Sequence, residues 1–251
     1  MSVDEKPKHS HATALLIDHT VLRPEASEAD IARACAEARR YGFASVCVNP
    51  YWVRFAAGAL SGSSTKVCAA VGFPLGASEP DIKVAETERA LADGAAEIDV
   101  VQNIGALRSG NRDMVSKEIR RIAEVAHAHG GILKVILETC LLTDDEKIEV
   151  CKLAAGAGAD FVKTSTGFSK SGATVEDVML LRRSVGDSVG VKAAGGIRTL
   201  AVLQRMISAG ANRIGTSASV QIMRELEGEF PAEEQNPLPS ARVPGGHPDT
   251  Y

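Results

Sequence analysis

The chain has 251 residues, 45% of them apolar, with a formal net charge of −4 and 4% aromatic residues. That length and apolar content suit one large core, and a barrel of alternating strands and helices typically takes ~250 residues as a single domain. No concentrated basic face or set of aromatic platforms is available for nucleic acid, and no run approaches the ~18 apolar residues of a membrane span.

The start, MSVDEKPKHSH, is polar and does not resemble a signal peptide. A first strand is expected over ALLID (14–18), with Asp18 at its end. A helix over 27–41 follows, opened by Ser27 with Asp30 three residues on, the spacing of a capping box. SVCVN (45–49) and KVCAAV (66–71) read as the next strands and carry Cys47 and Cys68. A helix over 80–93 leads to EIDVV (97–101), where the carboxylate of Asp99 lies between Ile98 and Val100. After a helix over 111–129 comes LKVILE (133–138), in which Lys134, Ile136 and Glu138 alternate onto one face. A helix over 143–157, with Thr143 and Glu146 at capping-box spacing, precedes FVKTS (161–165) and Lys163. Helices over 174–185 and 199–209, capped by Thr174 and Thr199, flank VGVKAA (189–194), which carries Lys192, and precede RIGTS (213–217). The last stretch, 230–251, is rich in Pro and Gly and is expected to form an irregular tail after a domain of 1–229.

A repeat supports this order. Gly42, Gly94, Gly158 and Gly210 each open a segment that runs into a strand, and each is placed to end a helix in the left-handed conformation. The fifth residue after each glycine is Cys47, Asp99, Lys163 or Gly215. A repeated helix–glycine–strand unit sets those positions at similar heights, and inward and outward residues alternate along a barrel strand. The fold class is therefore α/β, a closed (β/α)8 TIM barrel.

Three lysines sit in very apolar strands: Lys134, Lys163 and Lys192. An ammonium group is costly to bury without compensation, and low polarity or a neighbouring cation favours the neutral amine. A neutral lysine amine is a nucleophile toward carbonyls. Lys163 and Lys192 lie on neighbouring strands ~4.8 Å apart, so one is expected to be the nucleophile and the other its electrostatic activator. Spacing does not decide which, and lysines pairing with acids at the barrel mouth is the bland alternative. Asp99 needs cations or donors around it and is placed to relay protons. Asp18 reads more readily as a salt-bridge partner, and Lys134 equally as a structural ion pair or a chemical group. Gly167, Gly195, Gly196, Gly215 and Ser217 follow three successive strands, where small residues let backbone N–H groups point at an anion. The expected ligand is a small phosphorylated carbonyl compound.

The five cysteines include no CxxC pair and read as reduced thiols of a cytoplasmic protein. Cys47 faces the interior if its strand follows the repeat, and as a lone cysteine it reads as a small core residue. His9, His11, His127 and His129 show no metal-ligand spacing.

The motifs LIDHTVL, EIDVVQNIGAL, FVKTSTGFSKSGAT, VKAAGGIRT and RIGTSAS, in order over residues 14–223, resemble those of deoxyribose-phosphate aldolase, a class I aldolase family. The resemblance implies a (β/α)8 barrel, often a homodimer, that cleaves 2-deoxy-D-ribose 5-phosphate reversibly to acetaldehyde and D-glyceraldehyde 3-phosphate. It implies no metal and no cofactor, and a place in deoxyribonucleotide catabolism. By motif, the Schiff-base lysine falls on Lys163, the activating lysine on Lys192 and the proton-relay aspartate on Asp99. Asp18 and Lys134 match positions lining the site, which Cys47 is also expected to line from its place in the repeat, and phosphate contacts fall on Gly167, Gly195, Gly196, Gly215 and Ser217. Phe168 stands where some members have lysine, with Lys170 two residues on. Some members bring a C-terminal tyrosine into the site, and Tyr251 resembles that terminus. Two other classes fit the residue pattern alone: an isomerase or epimerase using Asp99 or Glu138 as base, and a non-catalytic phosphosugar sensor.

Overall fold

The computed structural model describes residues 8–229. The expected tail, 230–251, lies outside them, and Tyr251 with it. Eight parallel strands close into a barrel in sequence order. They are β1 Ile17–Val21, β2 Ser45–Val48, β3 Lys66–Val71, β4 Glu97–Val101, β5 Ile132–Ile136, β6 Phe161–Lys163, β7 Gly190–Ala194 and β8 Arg213–Thr216, with β8 pairing back onto β1. Six helices match the expected ones: α2 Glu28–Tyr41, α4 Pro80–Ala92, α6 Arg112–Ala128, α7 Asp144–Gly156, α8 Val175–Val185 and α9 Leu200–Ser208. Shorter helices not singled out by the sequence pattern are α1 Lys8–Ala14, α3 Val53–Ala59, α5 Ile104–Arg108 and α10 Ser219–Leu226.

The caps act as their residue types require. Ser27 and Thr143 form reciprocal capping boxes with Asp30 and Glu146, and Thr174 and Thr199 accept from Asp177 N–H and Val202 N–H. The four repeat glycines all have positive φ: 75° at Gly42, 107° at Gly94, 95° at Gly158 and 111° at Gly210. Gly42→Ala is expected to cost about 1 kcal/mol, the price of a Cβ in the left-handed region. Gly94→Ala should cost more, because its Cβ would also lie 2.7 Å from Ala57 Cβ; urea titration of the two variants checks the order.

One strand differs from its expected span. Ala14 is the last residue of α1, and β1 starts at Ile17, where Ile214 N–H donates to Leu16 O at 2.7 Å. Asp18 therefore sits near the entry of its strand, not at its end, in register with Ser45 and Gly215. Three residues of shift move its carboxylate from the mouth of the barrel into the interior.

The apolar core lies outside the barrel wall. Ile17, Val46, Ile98, Leu133, Val135, Val162, Val191 and Ile214 belong to one buried cluster with helix residues such as Ile31, Ile119, Ile122, Val150 and Leu181. Burying each such side chain contributes roughly 1.5–3 kcal/mol. The alternate residues of the same strands point the other way, and many of those are charged.

Candidate active site

Strand register determines which side chains meet inside the barrel. Asp99 is level with Lys134, Lys163 with Lys192, Lys192 with Arg213, and Asp18 with Gly215. Cys47 is level with Cys68, and Cys68 with Glu97. The interior of such barrels is ordinarily filled with branched apolar residues. Here it holds an ion network.

Asp99 is the hub. Its Oδ1 accepts from Lys134 Nζ at 2.8 Å and from Cys68 Sγ at 3.1 Å. Its Oδ2 accepts from Lys163 Nζ at 2.8 Å and from Lys192 Nζ at 2.6 Å. Lys192 also pairs with Asp18 Oδ2 at 2.5 Å, and Lys134 with Glu97 Oε2 at 2.6 Å. Arg213 closes the floor, donating to Asp18 Oδ1 at 2.7 Å and reaching Glu97 Oε2 at 3.2 Å. Gly215 leaves room for this arrangement, since a Cβ there would lie 3.0 Å from Lys192 Cε.

The charges fix one another. Burial opposes ionisation of Asp99, but Lys134, Lys163 and Lys192 outweigh it and hold the carboxyl well below the usual range. Burial likewise opposes ionisation of Asp18, and Lys192, Lys134 and Arg213 overcome it. Burial disfavours the ammonium form of Lys134, yet Asp99 foremost raises it well above the ordinary lysine value. Lys192 is raised in the same way by Asp18 and Asp99 against its own burial. The stability that the two carboxylates contribute is therefore present above their unfolded value near ~4 and lost as pH falls through the folded ones. The contribution of Lys134 and Lys192 is present below their unfolded value near ~10.4 and lost as pH rises through the folded ones.

The network is not neutral when fully ionised. Lys134, Lys163, Lys192 and Arg213 face only Asp18, Glu97 and Asp99. One cation is in excess. Lys163 has a single carboxylate partner and shares that oxygen with Lys192.

A cavity of about 710 Å³ opens over this network, lined by residues that include Lys163, Thr166, Gly167, Phe168, Gly195, Gly196, Gly215 and Ser217. Gly167, Gly195 and Gly196 have φ of 86°, 89° and 77°, a conformation that suits glycine. The loops after β6, β7 and β8 thus converge as the sequence pattern suggested. Of the ion network, only Lys163 lines the cavity.

The structure sets several of the singled-out residues away from the cavity. Asp18, Lys134 and Cys47 were expected to line the site, but all are fully buried beneath Lys163 and none lines the cavity. Asp18 sits too early in β1 to reach the mouth, Lys134 is taken up by Glu97 and Asp99, and Cys47 packs with Leu22, Cys68 and Ala70. Lys134 is therefore an ion-pair partner in its observed surroundings. Glu138 lies on the face of Lys134 in sequence but makes no pair with it; its carboxylate instead accepts from Thr166. Phe168 does not leave an open position for a cation. It stacks edge-on against Phe73 at 5.2 Å, while Lys170 is exposed.

Glu97 and Arg213 are network members that sequence reasoning passed over. Each stands two residues before a residue it did single out, Asp99 and Gly215, so strand alternation placed them on the same face. Arg23, Arg33 and Arg198 also line the cavity, with Arg23 and Arg33 each paired to Asp30 at 2.6 Å. His19, also in the lining, is held by Ser219 Oγ at 2.9 Å and Glu37 Oε2 at 2.8 Å. Among the described residues, the one group of potential metal ligands close enough to share an ion is Cys47, Cys68 and Asp99. Lys134 already bonds two of them, at 3.3 Å to Cys68 and 2.8 Å to Asp99. No helix among the described residues is long and apolar enough to cross a membrane.

Comparison with known proteins gives a consistent result. The family model described as DeoC/LacD family aldolase matches residues 12–222. A deoxyribose-phosphate aldolase from Streptococcus sanguinis is 56% identical over 216 residues, covering 85% of this chain and 97% of its own. One from Brevibacillus brevis is 57% identical over 208 residues, covering 82% and 93%. The solved structure of a tetrameric deoxyribose phosphate aldolase from Aeropyrum pernix superposes with a TM-score of 0.83 at 33% identity, covering 88% of this chain and 94% of that one.

Proposed function

The chain belongs to the DeoC/LacD aldolase family, and from that premise we propose that it is a deoxyribose-phosphate aldolase working through Lys163. It cleaves 2-deoxy-D-ribose 5-phosphate reversibly to acetaldehyde and D-glyceraldehyde 3-phosphate through a lysine Schiff base. The observation that carries the assignment of residues is that Lys163 alone among the interior amines lines the cavity, over a network with one cation in excess.

The neutral Lys163 amine attacks the C1 aldehyde of the open-chain sugar, and the carbinolamine takes up one proton and loses water to give an iminium ion, the proton being returned when the iminium is hydrolysed. Lys192, held charged by Asp18 and Asp99, discourages a second charge beside it on the same oxygen. Loss of the C3 hydroxyl proton and cleavage of C2–C3 release glyceraldehyde 3-phosphate, with the electron pair moving into an enamine. Protonation at C2 and hydrolysis release acetaldehyde and restore the amine. Asp99 is a weak base between the Lys134 and Lys192 ammonium groups, so its part is to pass protons within the Lys163–Asp99–Lys192 chain. Its Oδ2 also accepts from the iminium N–H, at the oxygen that faces the Lys163 amine. The glycine loops at 167, 195, 196 and 215 and Ser217 hold the phosphate, anchoring the far end of the substrate so that the reacting bond is oriented.

Incubation with 2-deoxyribose 5-phosphate should yield acetaldehyde and glyceraldehyde 3-phosphate in equal amounts, unchanged by EDTA. Isomerised sugar without aldehyde would favour a carboxylate-base isomerase, and loss of turnover on chelation would overturn the metal-free reading. The resemblance supports a homodimer, against the tetramer of the Aeropyrum pernix relative; light scattering distinguishes them. Cys35, Cys47, Cys68, Cys140 and Cys151 are all free thiols, which supports a reducing, cytoplasmic setting.

A further inference from the structure

Glu138 lies just beyond β5 and is the one described non-glycine residue with positive φ, at 59° with ψ 63°. A side chain in that region is disfavoured, and such residues persist where surrounding contacts enforce them. Glu138 is 2% exposed, and its carboxylate is the contact in question. Oε1 accepts from Thr166 N–H at 3.3 Å, and Oε2 accepts from the Thr166 hydroxyl. Thr166 Oγ1 in turn accepts from Phe168 N–H at 3.0 Å. The amides on either side of Gly167 are thus both engaged on the Glu138 side of the loop.

Gly167 lies between them. Its N–H meets no acceptor among the described residues, and its nitrogen would lie 3.7 Å from a Cβ at Gly195, in the cavity lining. The loop after β8 repeats the device. Thr216 Oγ1 accepts from Ala218 N–H at 2.9 Å and donates to Ile197 O at 2.6 Å, flanking Ser217. Two threonines therefore tie back the outer amide of a Thr-X-X turn, and at β6 the turn is itself tied to a strained acidic residue.

We infer that Glu138 is a positioning residue for phosphate: by taking both donors of Thr166 it turns the loop so that, of the three amides at 166–168, that of Gly167 faces the anion. The inference rests on the phosphate reading of the glycine loops. It assigns Glu138 no proton transfer and no contact with the sugar. An acidic residue is suited to the task because a carboxylate accepts from two donors at once, whereas an amide side chain offers one acceptor oxygen.

The test uses Glu138→Gly and Glu138→Gln with 2-deoxyribose 5-phosphate and with unphosphorylated 2-deoxyribose. Glycine removes the carboxylate and also relieves the backbone, so loss of function does not follow from added strain. For Glu138→Gly, KM for the phosphorylated sugar should rise about tenfold or more, while kcat/KM for 2-deoxyribose stays within about twofold of wild type. Inorganic phosphate should weaken as an inhibitor by a similar factor, and Glu138→Gln should recover part of the loss. Equal loss on both sugars, or no loss on either, overturns the inference. If the glycine variant does not fold, the glutamine variant carries the same comparison. Borohydride trapping on wild type separates the two claims: failure to label Lys163 sinks the Schiff-base reading, while discrimination between the sugars still reports on Glu138.

Discussion

Lys163→Leu is expected to lower kcat/KM by about 10⁴-fold or more, because the covalent intermediate has no other amine at the cavity to form on. The same variant should remain folded. Leucine removes an amine that is neutral in the proposed mechanism, leaving Lys134, Lys192 and Arg213 opposite Asp18, Glu97 and Asp99. Asp99 Oδ2 keeps Lys192 at 2.6 Å. Stability should therefore change by no more than about 1 kcal/mol, since a nearly buried site gains an apolar side chain and the remaining network balances three cations against three carboxylates. Acetaldehyde release and a denaturation curve on the same preparation separate the two effects. A variant that loses activity only because it unfolds would contradict the division of labour drawn here.

Asp99→Asn should do both kinds of damage. The amide leaves Lys134, Lys163 and Lys192 in the barrel with Asp18 and Glu97 as the remaining anions. Breaking a buried pair by removing one partner costs about 3–5 kcal/mol, because the other charge stays buried without compensation. Activity should fall by about 10³-fold or more as the proton route and the iminium partner are lost together. The pH dependence gives a sharper signature. In the variant, buried amines short of carboxylates have folded values below the unfolded ~10.4, so stability rises with pH through that window. Wild type, with Lys134 and Lys192 raised above it, loses stability as pH climbs through their folded values. The stability gap between the two proteins should therefore narrow as pH rises toward and past ~10.4, by about 1.4 kcal/mol per pH unit for each amine that titrates.

Much of this site was legible in the chain. The helix–glycine–strand repeat placed Asp99 and Lys163 on one interior, and register bears this out through Lys134 and Lys192. Capping residues at 27, 143, 174 and 199 marked helix starts because their hydroxyls satisfy amides that the helix leaves open. Asp18 was misplaced because ALLI is equally apolar as the end of a helix and as a strand, and the ladder to Ile214 decides between them. Glu97 and Arg213 were missed because a charged residue at a strand entry ordinarily faces solvent. Only closure of the barrel turns both inward. Glu138 was grouped with Lys134 by alternation, but β5 ends at Ile136 and the chain turns left-handed two residues later. No sequence period announces a backbone angle of that kind.

The central claim is that one interior amine, Lys163, carries the substrate as an imine. Borohydride reduction in the presence of acetaldehyde, followed by peptide mass analysis, tests it in one step. An ethyl group on Lys163, absent when acetaldehyde or borohydride is omitted, is the expected result. An ethyl group on Lys134 or Lys192 in place of Lys163, or no modified lysine in an enzyme that still turns over substrate, contradicts the account.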